Sequence, residues 1–242
     1  MADMPTVHEP RIPPDDSPAR VYGAELAEPR LYLDVLRKHH LALVKRYLGL
    51  EPGLFTLDLF ITALARRSYH VVDGFLGLFD EWNVIAAAPI VRMQIDNLTR
   101  MSYVCRAPRS DDVADAVING VEFRKMKDVE GKRLSDHRLV ELASEHHDWI
   151  APVYEATSGW VHLSPVHVYT SWKFSDEDDG PTLSGHFPGD PHEIPASMFA
   201  ELIGAMVQAT EEIFGYIEAW EQRKGLPLGE VRDIGDADPA QP

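Results

Sequence analysis

Apolar residues recur at helical steps of three and four through most of the chain, and proline or glycine marks where each run ends. The run LYLDVLRKHHLALVKRYL predicts a first helix that begins near Pro29, a good first-turn residue, and stops at Gly49. A second covers Thr56 to Phe79, with Leu59, Ala63, Tyr69, Val72, Phe75 and Leu76 as apolar positions. A third lies in AAAPIVRMQIDNLTRMSYVC and stops before Ala107 and Pro108. Ser110, Asp111 and Asp112 supply a cap and first-turn acids for a fourth, and Ser135 with Asp136 begins a fifth that reaches about His146. VYEATSGWVHLSPVH is the sixth, with Pro152 in its first turn and Pro165 as its end.

Residues 166–187 lose the helical period and read as a hairpin or ordered loop. Pro195 then opens a long last helix whose apolar positions are Met198, Leu202, Ala205, Ala209, Ile213, Tyr216 and Trp220, closed by Gly225. The expected class is all-α: one multi-helix bundle domain over 29–224 with a short hairpin or loop excursion. Residues 1–28, rich in proline and acid, and the acidic 225–242 are expected to be tails without fixed structure.

Composition narrows the setting. A hydrophobic fraction of 45% over 242 residues suffices for a sizeable core. The lone Cys105 excludes an internal disulfide framework, fits a reducing cytoplasm, and reads as a small core residue. MADMPTVHEPRIPPDD has neither the basic nor the apolar part of a signal peptide, and no run is long and apolar enough for a membrane span. A soluble cytoplasmic protein is expected. The net charge of −16 is unevenly spread: residues 1–29 hold six acids and two bases, 175–193 six acids and no base, and 225–242 four acids and one base. The body is therefore close to neutral, which weakens nucleic-acid binding without excluding it. Its basic run (Arg124, Lys125, Lys127, Lys132, Arg133, Arg138) is interleaved with acids and reads as a solvated turn.

Two polar stripes carry the candidate chemistry. On the third predicted helix, Arg92, Asp96, Thr99, Arg100 and Tyr103 share about a quarter turn, while most of the remaining circumference is apolar. Such a helix sits centrally in a bundle, with its polar arc facing solvent or an internal cleft. Arg92 and Asp96 are spaced to pair, with Arg100 extending the pair. On the sixth, Tyr154, Ser158 and His162 recur at steps of four, and His167 follows. Facing each other, the stripes would form an anion-binding, proton-transferring pocket of Arg92, Asp96, Tyr154, Ser158 and His162, with Arg100 and His167 at its rim. The same spacing equally describes a purely structural lock between two helices. No metal-ligand motif, phosphate-binding loop or nucleophile elbow occurs, and no cofactor or metal is expected.

On IVRMQIDNLTRMSYV, with its Arg-x3-acid spacing, and YEATSGWVHLSPVH, with its Tyr-x3-Ser-x3-His spacing, the chain resembles the HEPN-like helical proteins of bacteria. The resemblance spans about residues 30–223. It implies a bundle that forms homodimers, in a superfamily that includes ribonuclease toxins and defence components. Active members carry an arginine, four to six residues, then a histidine. Here Arg66 to His70 and Arg133 to His137 each enclose only three residues, so that signature does not carry over.

The leading expectation is thus a HEPN-like protein whose pocket binds an anionic small molecule or serves a structural role in a defence or regulatory setting. A metal-independent ribonuclease, with His162 as acid–base, Arg92 on the phosphorane charge and Tyr154 orienting the phosphate, is the enzymatic alternative, with RNA as its substrate. A module whose acidic loop 175–193 docks a basic protein is the third.

Overall fold

Long amphipathic helices carry the core of the computed structural model, which describes residues 11–49, 53–162, 164–169, 171–177, 180–185 and 194–225. They are α2 (Ala24–Leu48), α3 (Thr56–Asp80), α4 (Val84–Arg106) and α9 (Ala196–Arg223). Between them lie α1 (Pro18–Val21), α5 (Ser110–Ile118), α6 (Asp136–Ser144), α7 (Ile150–Val161) and α8 (Pro165–Tyr169), and an antiparallel hairpin of β1 (Trp172–Glu177) and β2 (Gly180–Gly185). The protein is an all-α bundle with a short hairpin excursion. Among the described residues no helix is long and apolar enough to cross a membrane.

In cross-section α2, α3, α4 and α9 form a ring in that order. Tyr22, just before α2, bonds Ile194, just before α9, and Arg46 near the end of α2 grips Glu221 near the end of α9. Those two helices are therefore parallel. Gln94 meets Thr210 and Ser102 meets Tyr216, so α4 is parallel to α9 as well. Only α3 runs the other way: Asp58 at its start meets Trp220 at the end of α9. α4 is the central element, touching α3, α5, α6, α7 and α9. Val91, Ile95, Leu98, Met101 and Val104 on it are fully buried.

Several boundaries differ from the sequence expectation. The first long helix begins at Ala24, and Pro29 lies inside its second turn. A proline there removes one backbone hydrogen bond, and burial of Ala19 and Leu26 offsets the loss. Residues 11–28 thus belong to the domain, and the tail boundary expected at residue 28 is corrected. Trp82 shows why they are held. It adopts φ 61°, a left-handed conformation unusual for a bulky residue, in the turn between α3 and α4. Its ring packs on Tyr22 and Phe199, and its Nε1 donates to Asp16 O at 2.6 Å. Residues 1–10 and 226–242 lie outside the described residues, as do 178–179 and 186–193 of the acidic loop.

The second helix buries Leu57, Phe60, Ile61 and Leu64 and leaves Leu59 exposed, one position off the expected face. Pro165 opens α8 as well as closing the sixth predicted helix, so residues 166–169 of the excursion are helical. The basic run is a paired turn: Asp128 accepts from the Glu130 and Lys132 N–H groups and from Arg138 Nε, while Glu122 pairs with Arg124 and Lys125.

Buried ion pairs tie the ring together. Arg30 on α2 and Asp80 at the end of α3 form a two-bond pair at 3.1 and 2.7 Å, with both side chains almost fully buried. Asp58 is held by Tyr47, the Phe55 N–H, Trp220 and Lys224. Burial pushes the Asp58 carboxyl up, but those hydrogen bonds outweigh it and hold it below its ordinary value. Asp80→Ala, which strands Arg30 without its carboxylate, is expected to cost about 3–5 kcal/mol. The double replacement Arg30→Met with Asp80→Leu is expected to recover most of that, read from urea unfolding midpoints at unchanged slope.

Candidate functional site

The polar arc of α4 is drawn in two directions. Arg92, nearer its N-terminal end, turns toward α7: its Nη1 donates to Ser158 Oγ at 2.8 Å and to Tyr154 O at 3.2 Å, and the guanidinium lies over the Tyr154 ring. Ser158 Oγ also donates to Tyr154 O at 2.7 Å, as does Thr157 Oγ1 at 3.3 Å, so one carbonyl accepts from three side chains. Burial lowers the Arg92 pKa, opposed by Tyr154 and by the charge of Asp136. The two predicted stripes thus touch at Arg92, Tyr154 and Ser158.

The expected Arg92–Asp96 pair does not form. Asp96 instead pairs with Arg100 on its own helix and with Arg67 of α3, whose Nη1 lies 3.1 Å from Asp96 Oδ2. An acid one turn before a base opposes the helix dipole less than the reverse order, which favours Asp96–Arg100 over Arg92–Asp96.

His162 leaves the stripe. It follows the last residue of α7 in an extended conformation (φ −111°, ψ 149°), is exposed, and makes no hydrogen bond or ion pair with a described residue. Pro165 is the cause: continuing the helix would drive its ring into the Val161 carbonyl. The step of four from Ser158 therefore fails at its last member. His167, on α8, stands edge-on to the Trp160 ring. Among the described residues no group of His, Cys, Asp and Glu side chains is arranged to hold a metal.

Below Asp96 a cleft of about 660 Å³ opens between α3, α4, the end of α5 and the start of α6. Phe60, Leu64, Val117, Val121 and Phe123 make its apolar part. Its charged part is Arg67, Asp96, Arg100, Arg124, Glu122 and Asp136. Arg100 lies over the Phe123 ring, 5.3 Å from its centre, and its Nη2 donates to Asp136 Oδ1 at 2.9 Å. Burial lowers the pKa of Arg67, and also that of Arg100, where Asp136 opposes the shift and Arg67 adds to it. Two partly desolvated guanidiniums thus share a single fixed carboxylate beside an apolar wall. Volume and lining both suit a small ligand with one or two polar groups.

Arg67 is positioned from inside the bundle. It donates to Asn97 Oδ1; Asn97 Nδ2 donates to Gln94 Oε1 at 2.9 Å; Gln94 Nε2 donates to Ser68 Oγ at 2.7 Å and Thr210 Oγ1 at 3.0 Å. Ser68 Oγ lies 2.9 Å from His40 Nε2, and His40 Nδ1 lies 3.0 Å from Leu36 O. A neutral His40 with its proton on Nδ1 makes every bond in this chain run donor to acceptor. Sequence reading identified two cleft residues, Asp96 and Arg100, and missed Arg67, Asn97, Arg124 and Asp136. The available signal was the Phe60–Leu64–Arg67 spacing, which places an arginine on the face that α3 buries.

Comparison with known protein families, curated proteins and solved structures finds no match to this chain.

Burial depresses His40 from its ordinary 6.5 to about 4. A folded state that needs the neutral ring binds fewer protons than the unfolded chain between those values, so stability is full above about pH 6.5 and falls as pH drops toward 4. Unfolding titrations across that window are expected to show this slope in the wild type and a shallower one in His40→Gln.

Proposed function

We propose that this protein binds a small anionic molecule in the cleft between α3, α4 and the α5–α6 segment, with Arg67 and Arg100 as the anion-holding pair. As the family resemblance implies, we place it among cytoplasmic HEPN-like homodimers, acting in a defence or regulatory setting. The observation that carries the reading is the arrangement around Asp96. Two guanidiniums, each with its charge disfavoured by burial, converge on one carboxylate and line an open, partly apolar cleft. An incoming anion regains charge-assisted hydrogen bonds there, each with a net value of about 1.5–3 kcal/mol.

Binding is the favoured reading over RNA cleavage because the acid–base group that cleavage needs has no support at the site: His162 lies outside the Arg92 contact, and the cleft lining contains no histidine. Arg92, Tyr154 and Ser158 then act as the lock that seats α7 on α4.

Thermal unfolding in a panel of small anions, namely acetate, aromatic carboxylates, inorganic phosphate and phosphate monoesters, tests the proposal. At about one hundred times the dissociation constant, a true ligand stabilises the fold by about 2.7 kcal/mol, which raises the midpoint by several degrees. Arg100→Gln and Arg67→Gln are expected to stay folded and to lose that rise. A panel without any rise, or a rise unchanged in both variants, rejects the cleft as the site.

A further inference from the structure

We infer that the cleft takes an aromatic monocarboxylate, whose carboxylate displaces Asp136 from Arg100 while its ring lies against Phe123 and Phe60. This rests on the anion-binding proposal above and narrows it to a ligand class.

Charge balance comes first. Arg67, Arg100 and Arg124 line the cleft with Asp96, Glu122 and Asp136, three positive groups against three negative. A nucleic-acid strand or polyphosphate needs a clear positive excess, and would bring several further charges against these carboxylates. A single carboxylate that replaces one of the three leaves the balance unchanged.

The three acids are not equally replaceable. Asp96 is three-quarters buried and is held by both Arg67 and Arg100. Glu122 is engaged by Arg124 and Lys125 at the outer edge. Asp136 has 60% of its side chain exposed and holds Arg100 through one 2.9 Å contact. It sits on the first turn of α6, whose cap is the separate Ser135 Oγ···Arg138 N–H bond, so Asp136 can swing into solvent without uncapping the helix. The position it vacates is a donor site on Arg100 that faces the cleft.

The apolar part fixes the rest of the ligand. Phe60 and Phe123 lie 6.4 Å apart between ring centres and inclined at 57°, with Leu64, Val117 and Val121 beside them. Arg100 already lies over the Phe123 ring. A flat ring attached to the carboxylate would continue that packing, whereas a small hydrophilic anion would leave the wall wet.

Isothermal titration calorimetry of the full chain with 1-naphthoate, acetate, inorganic phosphate and a ten-nucleotide uridine RNA tests this, on the wild type, Asp136→Asn, Arg100→Gln and Phe123→Leu. The expected result is binding of naphthoate at least about tenfold tighter than acetate, from the area of ring buried. Asp136→Asn, which removes the competing carboxylate, tightens naphthoate about threefold, the size of an exposed ion pair. Arg100→Gln weakens it about tenfold or more, and Phe123→Leu weakens naphthoate but not acetate.

Unchanged or weaker naphthoate binding in Asp136→Asn, with its melting temperature preserved, overturns the displacement. Phosphate bound through Arg100 with naphthoate unbound overturns the ligand class and leaves anion binding standing. Salt-sensitive RNA binding lost in Arg100→Gln overturns the class in favour of nucleic acid. Failure of every probe overturns both the inference and the proposal beneath it.

Discussion

The amide of Gln94 is the constraint on which the bundle depends. It is fully buried on the central helix, and its hydrogen-bonded neighbours connect all four long helices: Ser68 of α3 and Thr210 of α9 accept from it, and His40 of α2 lies behind Ser68. A polar group at such a point is costly unless every partner is present, at about 1–3 kcal/mol for each donor or acceptor left unmade. Sliding any helix by one residue would leave several of them unmade. Apolar packing tolerates small slips far better than this network does, so the amide selects one register among many of similar hydrophobic burial. The same chain ends at Arg67, so the register of the core and the position of a cleft guanidinium are set by one set of bonds.

Topology explains why a cleft exists beside that network. Because α9 is parallel to both of its neighbours, the chain leaving α4 at Arg106 must travel the length of the bundle before α9 can begin. A 23-residue helix is about 35 Å long. The return is made by α5, the paired turn of residues 123–138, α6 and α7, laid against α3 and α4. It supplies Val117, Val121, Phe123, Arg124 and Asp136 to the cleft, whereas α3 and α4 supply Phe60, Leu64, Arg67, Asp96 and Arg100. One wall is set by the core and the other by the connection. The central guanidinium–carboxylate group belongs to the first, and the more exposed Asp136 to the second.

The central helix was legible from its sequence because its apolar residues cover most of the circumference, and its polar arc does meet the α7 stripe at Arg92. Helical periodicity also placed Ser158 and Tyr154 on the face that Arg92 reaches. It failed at His162, because periodicity assumes the helix continues and Pro165 ends it three residues early. It failed at Pro29 for the converse reason: a proline read as a helix start was accommodated within a helix anchored by burial of Ala19 and Leu26. Arg67 and Asn97 were missed because their partners are remote in sequence. Asp96 is 29 residues from Arg67, and a polar residue within an apolar stretch gives no sign of what will meet it. Local pattern specifies faces, while pairing across helices depends on register, which is a property of the assembled core.

An anion site within so acidic a chain requires that electrostatics be judged locally. Much of the −16 comes from 1–29, 175–193 and 225–242. Exposed charges farther from a site than a Debye length of about 8–10 Å are largely screened at physiological salt, so the sum over the chain does not set the potential at the cleft. At the cleft itself the decisive group is Asp96. Without it, Arg67 and Arg100 would repel each other across a partly desolvated space and turn outward to water. With it, both are held at the cleft wall, and the cost of bringing two like charges together is met during folding rather than at binding. The carboxylate whose charge opposes an anion is therefore what prepares the site to receive one.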